Sequence, residues 1–354
     1  MPTWGEILIE VNESARSRGG NPDFDGIRRK YLRELRNRTG RPVIAYYTDW
    51  LGGGGPETSI ILADMQGMME VCKGIAGPKL DLILHSPGGD AEATASIVSY
   101  LRKKYTDIRV FVPLAAMSAA TMWALAGNKI VMGKHSQLGP IDPQFISPNG
   151  ASPARAIIQQ FERAKQECSK DPSLLGAWLP ILQQYGPALI QQCEAAEALA
   201  RRLVGQWLQD YMFGGDTDAS IKASVIADYF ANWEIHQSHN LGIDRDAAKA
   251  AGVRVDDLED DSRLQDALLS VHHAMLHTFH GPAIKIIENH AGKAYVRMAQ
   301  QVMVQVPMQT PPTTMPTAPP HRLPGLDKSI VPALCLPAAA LWHATTQCAT
   351  RSSG

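Results

Sequence analysis

The sequence lacks the cysteine patterns of disulfide-bonded and zinc-binding proteins. Its five cysteines are scattered over 354 residues, and no two of them form a Cys-x-x-Cys pair. An odd and widely spaced set of this kind gives neither a disulfide framework nor a zinc site, and it is typical of a reducing compartment. We therefore expect no metal site built on cysteine.

An excess of charge and long apolar runs are also missing. The 34 basic residues are balanced by 35 acidic ones, whereas a general nucleic-acid-binding protein usually has a basic excess or patch. No stretch reaches the roughly 18 uninterrupted apolar residues of a membrane span. The first residues lack the basic-then-apolar layout of a signal peptide. These absences predict a cytoplasmic protein with no nucleic-acid partner and no integral membrane segment.

Hydrophobic residues make up 45% of the chain, which is enough to bury a large core. Apolar runs typical of buried strands occur at 43–47, 80–84, 108–112 and 129–132. Helical patterns follow the first three of these runs, at 59–72, 91–104 and 118–126. This alternation predicts repeated βαβ crossovers and an α/β fold with a mostly parallel sheet. Because such crossovers are right-handed, two sharp turns at Ser86–Gly89 and Met117–Ser118 should lie close together at one sheet edge.

The remaining segments suggest how the chain is organised. Residues 1–40 are typical of helix and form an N-terminal segment before a main domain at 41–300. Residues 152–231 predict a helical insertion within that domain. From 306 to 354 prolines stand among threonines and methionines, a composition that predicts a disordered tail.

The two turns carry the residue types that acyl transfer requires. Glycines after the 80–84 strand allow backbone N–H groups to meet a ligand without an intervening side chain. Ser118 stands at a strand-to-helix junction, where the next N–H group and the helix dipole favour negative charge. The N–H groups of Gly89 and Ala119 would then form a two-donor oxyanion hole, with Ser118 Oγ placed to attack. The simpler interpretation, in which Ser118 only caps the helix and 86–89 is an ordinary turn, stays open.

Four motifs give the sequence a family resemblance: HSPGGD at 85–90, AMSAA at 116–120, ALAGNKIVM at 124–132 and QLGPIDP at 137–143. Together they resemble the Clp-protease/crotonase-like serine peptidases, and most nearly the serine dehydrogenase proteinase family, relatives of bacterial signal peptide peptidase A. The resemblance implies a spiral of ββα units with additional helices, within a catalytic domain at 41–300. It also implies a homo-oligomeric serine endopeptidase that cleaves peptides or proteins through an acyl-enzyme on Ser118.

The general base is the point at which this chain departs from the family pattern. A serine hydroxyl needs a partner that takes its proton. Clp-type peptidases place a histidine in the segment that resembles 136–143, where this chain has Asp142 and no histidine. His239 lies just before residues 243–252, a stretch that resembles the Clp-type segment following its acidic triad member. This resemblance implies His239 as the base and Asp142 as its orienting carboxylate, which keeps the Ser–His–Asp roles in another order. A lysine base, as in the signal peptide peptidase relatives, is the rival, with Lys165 and Lys170 as candidates.

Two other functions stay open on the same fold. A crotonase-type enzyme acting on acyl-CoA would use the paired N–H groups to stabilise an enolate, but it needs pocket carboxylates and no nucleophilic serine. A non-catalytic oligomeric scaffold would tolerate the loss of both Ser118 and His239. No cofactor is expected, because the glycines at 52–55 do not match a nucleotide fingerprint. His273 and His277 have a metal-like spacing but no accompanying glutamate or cysteine, so we expect them to lie on the helix surface or to pack.

Overall fold

The computed structural model describes residues 3–53, 55–147 and 150–299. These ranges fall within one compact unit that extends from Met1 to Gln301. The tail that the sequence predicts at 306–354 lies outside the described residues. The boundary at residue 40 and the insertion at 152–231 remain predictions.

The elements are numbered in chain order. The α-helices of the described ranges are α1 (Trp4–Ser17), α2 (Phe24–Thr39), α3 (Asp64–Cys72), α4 (Ala91–Arg102), α5 (Ala119–Leu125), α6 (Ala154–Lys170), α7 (Leu175–Leu182), α8 (Leu189–Trp207), α9 (Ala219–Ala231), α10 (Trp233–His236), α11 (Arg245–Ala250) and α12 (Ser262–Thr278). The strands are β1 (Val43–Thr48), β2 (Lys79–His85), β3 (Asp107–Val112), β4 (Ala115–Ala116), β5 (Lys129–Met132), β6 (Gln137–Leu138), β7 (Gln144–Ser147), β8 (Gly150–Pro153), β9 (Ile243–Asp244), β10 (Val255–Asp257), β11 (Ala283–Asn289) and β12 (Ala294–Met298).

A seven-stranded sheet with the order β10-β5-β3-β2-β1-β11-β12 organises the molecule. Strands β10, β5, β3, β2 and β1 are mutually parallel, while β11 and β12 continue the sheet in antiparallel fashion. Short strands β4, β6 and β9 form a second sheet, and β7 and β8 form a hairpin. The predicted α/β class, with its parallel crossovers, is confirmed.

Apolar residues cover both faces of the main sheet. Every residue of β1 is buried, as its uninterrupted apolar sequence predicts for a strand covered on both faces. One face packs against α3, α4, α5, α8 and α9, and the other packs against α1, α2 and α12. The result is a three-layer arrangement. In such folds ligands bind at the carboxyl ends of the parallel strands.

The N-terminal residues form two helices, α1 and α2, with a break between them. Asp23 accepts a hydrogen bond from the Gly26 N–H (3.1 Å) and so caps α2. Ile27, Tyr31 and Leu35 recur at helical spacing on the buried face of that helix. Local capping and periodicity therefore suffice to define it.

Two segments differ from the sequence-based expectation. The helix predicted at 59–72 begins only at Asp64, because Ile60 instead pairs with Gly89 in a parallel bridge. Residues 283–298 have no predicted element, yet they form β11 and β12. The run Ala-Ile-Lys-Ile-Ile at 283–287 has strand-like residues, but its central lysine obscures the pattern of a buried strand.

Candidate active site

The two turns singled out in the sequence lie side by side at the edge of the sheet. The Ser86 N–H donates to the Ala115 carbonyl (3.2 Å), and the Met117 N–H donates to the Ser86 carbonyl (3.0 Å). This parallel pairing continues β2 beyond its last residue and joins it to β4. The right-handed crossover through α4 and β3 therefore brings the two turns together, as expected.

Ser118 stands immediately before α5 in a backbone conformation that L-residues rarely adopt, with φ 51° and ψ −121°. Its side chain makes no capping hydrogen bond to the helix, so the simple capping interpretation is wrong. The residue is half-buried and lines a cavity of about 530 Å³. Strained backbone of this kind is concentrated at functional sites, where the surrounding structure holds it in place.

Both glycines of the first turn have positive φ and closely packed neighbours. A Cβ atom on Gly88 (φ 98°) would come within 2.8 Å of the Ala119 nitrogen and of Ser118 Cβ. Gly89 (φ 148°) pairs with Ile60, and a Cβ atom there would stand 2.4 Å from the Ile60 nitrogen. Because Cβ atoms do not approach other atoms this closely, only glycine fits either position without displacing its neighbours.

The N–H groups of Gly89 and Ala119 make no hydrogen bond within the described part of the chain. Pairing with Ile60 uses the carbonyl of Gly88 (2.7 Å) and the N–H of Asp90 (2.9 Å). The Gly89 N–H therefore faces away from Ile60, since backbone groups of successive residues in an extended segment alternate in direction. Gly89 and Ala119 both line the cavity that holds the serine hydroxyl. They are two unpaired donors at one ligand-accessible wall.

His239 lines the same cavity from the turn between α10 and β9. Its Nδ1 lies 2.8 Å from Asp142 Oδ1. Because an ionised carboxylate only accepts hydrogen bonds, Nδ1 of the neutral imidazole carries the donated proton and Nε2 carries the free lone pair. Asp142 is buried, and its other oxygen accepts a hydrogen bond from Gln144 Nε2 (2.7 Å). The structure thus pairs the histidine and the carboxylate that the sequence analysis nominated.

The two lysines considered as bases lie elsewhere. Lys165 is exposed on α6 and pairs with Glu162 at 3.4 Å. Lys170 is exposed at the end of the same helix. Neither is among the described residues that line the cavity. A lysine base needs burial to lower its pKa, so neither position suits that role.

Several other histidines of the described ranges pack against neighbouring rings, as His277 and His85 illustrate. His277 Nε2 lies 3.0 Å from the Trp4 carbonyl oxygen, and the centroids of the His277 and Trp4 rings lie 3.9 Å apart. These contacts join α1 to α12. His85 is buried near Tyr47 and Trp50, and this burial lowers its pKa to about 4. Within 3–53, 55–147 and 150–299, no group of three or more His, Cys, Asp and Glu side chains has the arrangement of a metal site.

Much of the cavity wall comes from residues to which the sequence analysis assigned no role: Ser59, Ile60, Ile61, Phe145, Ile146, Ala196, Leu199 and Ala200. The β7–β8 hairpin among them has a local signal, since Asn-Gly at 149–150 is typical of a hairpin turn. The other residues have none, because their contribution depends on how α8 and the 59–61 segment pack over the turns.

Comparison with known proteins assigns the chain to a family. The sequence model of a family described as ClpP-like SDH-type serine proteinase matches residues 64–182, which include both turns and Asp142. The chain belongs to this family. Membership confirms the resemblance, the ClpP-like fold and the assignment to the serine peptidases, whose substrates are peptides or proteins.

Similar proteins extend the comparison beyond the family segment. A Methanocaldococcus jannaschii protein of unassigned function is 32% identical over 200 residues, covering 52% of this proteinase and 68% of the relative. A second protein of that organism, also uncharacterised, is 31% identical over 140 residues, covering 37% and 47%.

Two solved structures are similar as well. Both are of the 1510-N membrane-bound stomatin-specific protease. The serine-to-alanine variant is 18% identical with a TM-score of 0.35, covering 59% of this chain and 79% of that one. The lysine-to-alanine variant with a substrate peptide is 19% identical with a TM-score of 0.31, covering 53% and 64%. Among the described residues of the present proteinase, no helix is long and apolar enough to cross a membrane.

Proposed function

We propose that this ClpP-like serine proteinase is an endopeptidase that acts through an acyl-enzyme on Ser118. The observation that carries the proposal is the shared cavity: it is lined by Ser118, by His239, and by the two residues with unpaired N–H groups, Gly89 and Ala119. Hydroxyl, base and oxyanion donors are the three groups that hydrolysis of an acyl bond by serine needs.

The chemistry follows from these positions. His239 Nε2 takes the proton of Ser118 Oγ as Oγ attacks the substrate carbonyl carbon. The oxyanion that forms accepts hydrogen bonds from the Gly89 and Ala119 N–H groups. The tetrahedral intermediate collapses as Nε2 returns the proton to the leaving amine, and a water then repeats the sequence to release the acid.

Asp142 acts on this reaction through His239. Its hydrogen bond to Nδ1 (2.8 Å) fixes the tautomer that leaves Nε2 unprotonated, and its negative charge favours the imidazolium that forms. The carboxylate is itself held by Gln144, so its orientation is constrained from both oxygens.

The enolate chemistry of a crotonase-type enzyme has less support. Asp90 and Glu92 supply carboxylates to the cavity. However, Asp90 Oδ1 accepts hydrogen bonds from the Glu92 N–H (2.8 Å) and the Ala93 N–H (3.0 Å), so it serves as the N-cap of α4. The strained serine beside two free N–H groups favours covalent acyl transfer.

A fluorophosphonate probe with mass-spectrometric mapping tests the proposal. Ser118 should be labelled, and Ser118→Ala should abolish labelling while Ser96→Ala, an exposed serine on α4, should not. His239→Gln should slow labelling by about 10²–10⁴-fold, because a general base contributes about that much. Absence of labelling, or labelling at another serine, would contradict the assignment.

Two further properties are proposed from the sequence alone, namely assembly as a homo-oligomer and a cytoplasmic location. Size-exclusion chromatography with light scattering, and fractionation of the native source, test them separately. A monodisperse monomer would contradict the first, and recovery of the protein in another compartment would contradict the second.

A further inference from the structure

A buried ion pair lies beside the segment Ser59–Ile61, away from the catalytic groups themselves. Lys285 on β11 and Asp64 at the start of α3 have fully buried side chains, and Lys285 Nζ lies 2.8 Å from Asp64 Oδ2. Burial lowers the pKa of Lys285, and the Asp64 carboxylate opposes that effect. A buried pair is costly to desolvate and is weak evidence for stability as such, so its placement calls for another reason.

All three donors of the lysine are used. Lys285 Nζ lies 2.7 Å from the Ser59 carbonyl oxygen and 2.9 and 2.8 Å from the two Asp64 oxygens. An ammonium group has three hydrogens and no acceptor, so Lys285 in this arrangement has no lone pair with which to act as a base. It is also absent from the described residues that line the cavity.

Asp64 completes the network from its own side. Its Oδ2 accepts hydrogen bonds from the Tyr46 hydroxyl (2.8 Å) and from the Ile61 N–H (3.0 Å). The pair therefore binds the backbone of the segment at two points, at the Ser59 carbonyl and at the Ile61 N–H.

Ile60, the residue between these two points, is hydrogen-bonded to the turn that contains Gly89. The Ile60 N–H donates to the Gly88 carbonyl (2.7 Å), and the Ile60 carbonyl accepts from the Asp90 N–H (2.9 Å). A Cβ atom on Gly89 would stand only 2.4 Å from the Ile60 nitrogen, so the two backbones are in close contact. A displacement of Ile60 is thus transmitted directly to the turn that bears the Gly89 N–H.

We propose that Lys285, Asp64 and Tyr46 are positioning residues that set the Gly89 N–H for the oxyanion through the segment Ser59–Ile61. The inference deepens the proposed function and rests on it. These residues do not touch the substrate. They fix the position and direction of the Gly89 N–H, and its stabilisation of the oxyanion depends on that placement. A misplacement of about 1 Å can cost about 100-fold in rate.

The chain offers a matched control for this idea. Glu288, three positions further along β11, forms a second buried ion pair at 2.7 Å with Arg28, which belongs to α2. Tyr47, next to Tyr46 on β1, places its hydroxyl 3.4 Å from His272 Nδ1. Both control groups are buried and polar, and neither binds the 59–61 segment.

The experiment measures fluorophosphonate labelling of Ser118 in full-length protein, resolved into the probe affinity and the maximal labelling rate. The double variant Asp64→Asn/Lys285→Met removes both charges together, which avoids leaving one unpaired. We expect its maximal labelling rate to fall about 10- to 100-fold with little change in probe affinity, because the donor acts in the transition state. Arg28→Met/Glu288→Gln should label within about threefold of the wild-type rate, since it leaves the oxyanion donors in place.

A milder pair of variants decides the matter if the double variant does not fold. Tyr46→Phe removes one hydrogen bond to Asp64 and should lower the maximal rate by about 3- to 10-fold, while Tyr47→Phe should not. A wild-type rate in the double variant, or in Tyr46→Phe if the double variant does not fold, would overturn the positioning role and leave the proposed function standing. Equal losses in the test and control variants would overturn it too. An unlabelled wild-type protein would overturn both proposals.

Discussion

Replacing Gly88 by alanine perturbs the geometry of the site without removing any of the proposed catalytic groups. The added Cβ atom would lie 2.6 Å from the Met117 carbonyl oxygen and 2.8 Å from both the Ala119 nitrogen and Ser118 Cβ. Three atoms of the serine turn thus meet the new methyl group at once. Backbone atoms cannot rotate away, so the two turns must separate.

The expected magnitude combines two effects. Holding an L-residue at the observed φ of 98° costs about 1–3 kcal/mol, and forcing a methyl group into a packed contact costs about 1–3 kcal/mol more. The free energy of unfolding should therefore fall by roughly 2–6 kcal/mol. Separation of the turns by several tenths of an ångström should lower the labelling rate of Ser118 by about 100-fold or more.

Gly74→Ala is a control that separates the backbone strain at positive φ from the steric clash of the new methyl group. Gly74 also has positive φ (85°), but a Cβ atom there would meet nothing within 4 Å. It should lose only the conformational part of the stability, about 1–3 kcal/mol, and it should retain the wild-type labelling rate. Urea denaturation gives the free energies of unfolding, and fluorophosphonate labelling gives the rates for both variants.

A Gly88→Ala variant that is as stable as Gly74→Ala and labels at the wild-type rate would contradict this prediction. That result would mean that the turns are not in the close contact described here, and the proposed oxyanion hole would lose its geometric basis.

Three other predictions concern single side chains. Burial holds the pKa of His85 at about 4, below its ordinary value of 6.5, so the unfolded chain binds a proton that the folded chain does not. Stability should therefore fall as the pH drops from 6.5 towards 4, by up to about 3 kcal/mol. In His85→Leu this part of the slope, measured by denaturation at several pH values, should vanish; an unchanged slope would refute the assignment. Asp142→Asn should lower the peptidase kcat by about 10³–10⁴-fold with the fold intact by circular dichroism, because the orienting carboxylate is lost; near-normal turnover would exclude that role. Lys165→Ala should leave the labelling rate within twofold of wild type, since this exposed lysine lies outside the cavity and exposed pairs contribute about 0–1 kcal/mol; a large loss would revive the lysine base.

Local sequence was sufficient for the elements and turns that carry the serine. The apolar runs at 80–84 and 108–112 predict strands that the structure has at Lys79–His85 and Asp107–Val112. Pro-Gly-Gly at 87–89 and the serine at 118 follow at the ends of strands, where short-range rules of turn chemistry apply. Right-handed crossover connections then bring these ends together without further information.

The partners of these turns were decided by the tertiary structure. His239 and Asp142 are 97 positions apart, and Lys285 and Asp64 are 221 positions apart. Their contacts depend on the path of the whole chain and on which side chains are enclosed together, and neighbouring residues do not encode either. The resemblance to a known family nominated the first pair, whereas no pattern in the sequence pointed to the second.

The sequence by itself therefore determined the parallel sheet, the serine turn and its glycine-rich neighbour, because periodicity and turn chemistry act over a few residues. Only the tertiary structure decided that Ser59–Ile61 would extend and pair with Gly89 instead of joining α3. The reason is energetic: the buried Lys285–Asp64 pair must satisfy its hydrogen-bonding groups, and the backbone of that segment supplies the partners.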